Sequence, residues 1–244
     1  METYRKAAVT AGLLFIVATV ADVISRVMFL APVFSSPDPL TAVSASETRV
    51  VIGALLLFVG AAAASGIAIA MYPALRSHGE ALAIGSVAFR LIEGAFYLGI
   101  PVCLLVLMAL GDAAASSGDP AAFAVPAALV LAAREALGQV GVLAFGVGAT
   151  MYYWVFYRTR MVPRWLSAWG LAAIGSLMVS VVLVIAGVVE PMSRPQVVLA
   201  APIGVQELVL AGWLIAKGFR PVREATHEAT MPATTASGVP ATAR

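Results

Sequence analysis

The chain of 244 residues holds one cysteine, two histidines and only 11% charged residues. One cysteine, Cys103, cannot close an internal disulfide, and no CxxC or Cys/His spacing accompanies it. His78 and His227 fall in a short turn and near the end of the chain. A zinc or haem site built on His and Cys is therefore not expected, and no cofactor or metal is. Soluble domains carry about 25% charged residues, so this scarcity argues against an ordinary globular protein. The chain also has no Ser/His or Cys/His pairing, no HExxH and no phosphate loop. It has a formal charge of +2 but no basic run or aromatic-basic patch, which speaks against a nucleic-acid partner.

What it does have is apolar sequence: 61% hydrophobic residues and a mean hydropathy of +0.96. Six hydrophobic segments follow, near 7–30, 49–72, 81–110, 121–157, 165–189 and 196–218. A helix rises 1.5 Å per residue, so about 20 apolar residues cross a hydrocarbon layer of about 30 Å. The first segment exceeds a signal peptide's apolar region and carries Asp22 and Arg26, so it is expected to stay as a membrane helix. The fourth segment is long for one simple span, with an entry bend expected at Pro126. Residues 31–48, 73–80 and 111–120 read as loops or turns. Gly53, Gly60 and Gly66 in the second segment, and Gly138, Gly141, Gly146 and Gly148 in the fourth, favour close helix contacts. Tyr152, Tyr153, Trp154, Phe156 and Tyr157 read as an aromatic belt at a membrane interface. The expected fold is an all-α integral membrane bundle of six transmembrane helices over residues 1–220. Residues 221–244, rich in Ala, Thr and Pro, are expected to form a disordered cytoplasmic tail.

Cations set the expected orientation. With the N-terminus inside, the cytoplasmic segments hold Arg5, Lys6, Arg76, Arg158, Arg160, Arg164, Lys217, Arg220 and Arg223, and the outer ones Arg49 and Arg194. Nine against two places both termini in the cytoplasm of a plasma (inner) membrane protein.

Charged residues inside the apolar segments are the candidate site. Asp22 and Arg26 are spaced i,i+4, and Arg90 and Glu93 i,i+3, with Tyr97 one turn further along. Arg134 and Glu135 lie in the fourth segment, and Gln206 and Glu207 in the sixth, just after Pro202 and Gly204. Counted from the cytoplasmic ends, Arg90, Glu93 and Glu207 lie about 14, 18 and 16 Å deep, near mid-membrane. Ionisable groups at that depth face protein or water, so a shared polar interior is expected.

Three readings of that interior stand. It is a self-neutralising salt-bridge network in a scaffold, with Asp22, Glu93, Glu135 and Glu207 balancing Arg26, Arg49, Arg90 and Arg134. Or it binds or transports a small lipophilic or charged ligand, the prolines freeing backbone groups as in broken transporter helices. Or it is an intramembrane enzyme in which a carboxylate acts as acid on a lipophilic substrate. Glu93 is partnered by Arg90, so Glu207 is the better candidate acid.

The stretches YPALRSHGEALAIGSVAFRLIEG (72–94), YRTRMVPRWLSAWGLAAIG (157–175) and PIGVQELVLAGWLIAKGF (202–219) resemble the DUF4386 family. The resemblance spans roughly residues 5–220 and implies a bacterial, polytopic membrane protein. It implies no particular activity.

Overall fold

The computed structural model describes residues 2–220; the expected disordered tail lies outside the described residues. Among them every regular element is helical, and six helices are long and apolar enough to cross a membrane. The first span combines Glu2–Ile24 with a π-helical stretch, Ser25–Leu30, and a last turn, Ala31–Phe34. The second is Glu47–Leu75, closed by a 3₁₀ turn at Arg76–His78. The third is Glu80–Ser116, the fourth Ala124–Thr159, the fifth Arg164–Ile185 and the sixth Arg194–Ala216.

Several bounds differ from the sequence reading. The second span runs through Pro73, and the third continues beyond residue 110 to Ser116. A membrane helix tolerates a proline because neighbouring groups satisfy the freed carbonyl. The fourth span is one unbroken helix whose entry is a 3₁₀ turn, Pro120–Phe123, ahead of Pro126. The Pro/Ser-rich stretch 31–48 holds a short helix, Pro39–Ser44. Asp38 caps it, its Oδ1 accepting from the Thr41 N–H at 3.3 Å, while Pro39 supplies the fixed φ suited to a first helical position.

Each span packs chiefly on its chain neighbours, and the sixth returns to the first, so the six form a closed ring. Small residues set the spacing. A Cβ on Gly12 would meet the Ala211 carbonyl at 2.9 Å, which is how tightly the first and sixth spans close the ring. Arg5 ties the same seam, its Nη2 donating to the Ile215 carbonyl at 2.8 Å, where the last turn leaves acceptors free.

Two apolar clusters fill the ring at different levels. The larger occupies the end at which the first span begins and the sixth ends, and draws on all six spans, with Phe15, Met71, Tyr152, Phe156, Leu166 and Leu214 among its members. The smaller lies at the other end and joins only the first four spans, around Leu30, Val50, Leu57, Ile100 and Leu104. Tyr152, Tyr153 and Phe156 are fully buried in the larger cluster, which corrects the expectation that they form an interfacial belt. Helical periodicity turns only Trp154 and Tyr157 outward, where their rings stack at 6.4 Å.

Candidate functional site

Between the two clusters is a cavity of about 320 Å³, lined by residues from all six spans. Its wall is mostly apolar, from Phe15, Leu57, Ile67, Phe145, Leu177 and Ile203 among others. Six of the nine candidate residues also line it: Asp22, Arg26, Arg90, Glu93, Tyr97 and Glu207.

Arg90 is held from three directions. The run from Gly60 to Gly66 keeps side chains small where the second span meets the third, so the second span's backbone is within reach. Arg90 donates to the Ala64 carbonyl from Nε at 3.2 Å and from Nη2 at 3.0 Å. That oxygen has a second lone pair beyond its place in the helical ladder. The guanidinium also lies over the Phe145 ring, 5.0 Å from its centroid. Its Nη1 sits 2.9 Å from Glu93 Oε2. With both residues on one helix, this last contact is an ion pair by distance and lacks hydrogen-bond direction, leaving Oε2 buried without a hydrogen-bond donor. Gly148 lets the fourth span lie against the arginine's stem: a Cβ there would sit 3.4 Å from Arg90 Cγ.

Asp22 and Arg26 form a second pair, Arg26 Nε donating to both carboxylate oxygens at 2.8 and 2.9 Å. Their side chains are 44% and 38% accessible, in contrast to the sealed Arg90–Glu93 pair. Arg26 belongs to the π-helical stretch, whose first residue, Ser25, donates to the Gly53 carbonyl at 2.7 Å. Such widened turns concentrate at functional sites. Tyr97, one helical turn beyond Glu93, lines the same cavity as both pairs. Its ring packs where Gly141 leaves room, since a Cβ on that glycine would lie 2.6 Å from Tyr97 Cε1.

Glu207 differs from the other acids in the cavity. Among the described residues it has neither a hydrogen bond nor an ion-pair contact, and Arg90 acts on it only through longer-range electrostatics. One helical turn earlier on the same span, Gly204 also lines the cavity, and a Cβ there would meet nothing within 4 Å.

Three candidates are not among the cavity-lining residues. Gln206 is fully buried on another face of the sixth span, where its Oε1 accepts from the Tyr153 hydroxyl and its Nε2 donates to the Leu166 carbonyl at 3.1 Å. Adjacent helical residues point about 100° apart, so Gln206 and Glu207 cannot share a face. Arg134 stacks on Phe34, 4.5 Å from the ring centroid, and Glu135 accepts from Gln139 at 2.7 Å.

Sequence reasoning missed Ala64 and Phe145. A backbone carbonyl leaves no mark on a sequence, but the run of small residues around Ala64 does, because it shows where a backbone is uncovered.

A family model described as a domain of unknown function, DUF4386, matches residues 10–218. No curated protein and no solved structure matches the chain.

Proposed function

The chain belongs to the DUF4386 family, and on that footing we propose that it is a multi-pass protein of the cell membrane that binds a small molecule in its central cavity. One observation carries the reading. Glu207 lines a largely apolar space with no partner among the described residues, whereas every other acid lining it is paired. An unpaired carboxylate in apolar surroundings is costly, so a fold that keeps one has a use for it. The cavity volume falls in the range typical of ligand pockets, about 300–1,000 Å³.

The same reading has a direction. Arg5, Arg76, Arg158, Arg160, Arg164, Lys217 and Arg220 gather at the end where the first span begins and the sixth ends, which supports a cytoplasmic location for it. That end is closed by the larger apolar cluster, while the accessible Asp22–Arg26 pair lies toward the other. Entry is therefore from the outer side. Arg90 and Glu93 then serve to brace the second and third spans, and Glu207 to receive the ligand.

The test is accessibility. In a Cys103→Ala background, Gly204→Cys places a thiol in the open part of the cavity. A membrane-impermeant methanethiosulfonate added outside intact cells modifies that thiol if the proposal holds. Protection from outside together with reaction from the cytoplasmic side, or inertness from both, contradicts it.

A further inference from the structure

We propose that the cavity takes an organic monocation: a protonated amine carrying a compact apolar body. This rests on the reading of the cavity as a ligand site and adds the chemical class. Counting charges and donors around the wall leads to it. Arg90 and Glu93 form an ion pair, with the guanidinium's Nε and Nη2 donating to Ala64 and its Nη1 lying 2.9 Å from Glu93. Asp22 and Arg26 cancel through their two-oxygen contact. What remains, among the described residues, is the Glu207 carboxyl, which no cation contacts.

An anionic ligand finds both lining cations already facing an acid, Arg26 through Nε and Arg90 through Nη1. A neutral ligand leaves Glu207 uncompensated in a wall of Phe15, Ile67, Leu177 and Ile203. A bare divalent ion needs about six oxygens, and two of the three acids lining the cavity already face an arginine. An ammonium group needs only a carboxylate and one or two further acceptors, and its apolar remainder displaces water from the rest of the wall. Phe15 adds an aromatic surface not covered by a guanidinium, since the arginine stacked in the cavity lies on Phe145.

Three probes of one shape and three charges decide it: phenethylammonium, 2-phenylethanol and phenylacetate, titrated at neutral pH by calorimetry into the full chain in detergent micelles. Phenethylammonium is expected to bind about tenfold or more tightly than the alcohol, the margin of one charge-assisted hydrogen bond, with phenylacetate weakest. Glu207→Gln is expected to erase that preference and Glu207→Asp, which keeps the charge, to retain it. Gly204→Phe, which fills the open space, is expected to weaken all three probes. Equal binding of amine and alcohol, or a preference untouched in Glu207→Gln, overturns the cation assignment and leaves the cavity reading standing. Failure of every probe to bind the wild type, or binding indifferent to Gly204→Phe, overturns both.

Discussion

Arg90 on the third span reaches across to the backbone of the second and gives two hydrogen bonds to the carbonyl of Ala64, at 3.2 and 3.0 Å. The contact joins a buried side chain, 3% exposed, to a helix whose own side chains are too small to prevent it. It anchors the wall from which the cavity is built.

Removing that anchor leaves Glu93 buried and unmatched. Arg90→Ala is expected to destabilise the fold by about 3–5 kcal/mol, the cost of breaking a buried ion pair by deleting one partner. Removing both charges, as in Arg90→Met with Glu93→Gln, is expected to cost less than Arg90→Ala alone. Thermal unfolding of the purified variants checks the order.

Two glycines with opposite surroundings make a paired test. Gly141→Ala puts a methyl 2.6 Å from a Tyr97 ring carbon and is expected to cost about 1–3 kcal/mol through overpacking. Gly204→Ala meets open space and is expected to gain about 0.5–1 kcal/mol from helix propensity. Equal effects on the unfolding temperature contradict the placement of the cavity.

Gln206 links three elements through Tyr153 and the Leu166 carbonyl. Gln206→Leu strands the buried Tyr153 hydroxyl and is expected to cost about 1–3 kcal/mol. Adding Tyr153→Phe is expected to return part of that loss, since a hydroxyl that is absent needs no acceptor. A double-mutant cycle on thermal stability reads the coupling.

Outside the spans, hydrogen bonds from Thr41, its hydroxyl at 2.6 Å and its N–H at 3.3 Å, hold the Asp38 carboxyl below its ordinary value. A depressed folded-state value means that the cap's contribution is complete above the unfolded-state value and fades as pH falls through the folded one. Amide hydrogen exchange over residues 39–44 is expected to slow by comparison with Asp38→Ala at neutral pH. That advantage is expected to shrink below the usual carboxylate range.

Hydropathy and helix length made the six spans legible, because an α-helix satisfies its own backbone polar groups inside a bilayer. The two ion pairs were legible for a similar reason: i,i+3 and i,i+4 spacing fixes a shared face before any tertiary contact forms. Periodicity also held information that composition hid. Tyr152, Tyr153 and Trp154 look alike as a belt, yet successive side chains turn about 100°, and two of the three point inward. The same rule separates Glu207 from Gln206. The ring closure between first and sixth spans, the π-helical turn at Ser25 and the acceptor role of Ala64 depend on long-range packing, which local pattern does not encode.

The most direct measurement is the unfolding temperature of Glu207→Gln beside that of the wild type, without added ligand. A carboxylate kept for a ligand contributes nothing to the empty fold, so the substitution is expected to leave the temperature unchanged or raise it. A fall of several degrees, the size produced by losing about 1–2 kcal/mol in a chain of this length, contradicts the account and makes Glu207 one more brace in the bundle.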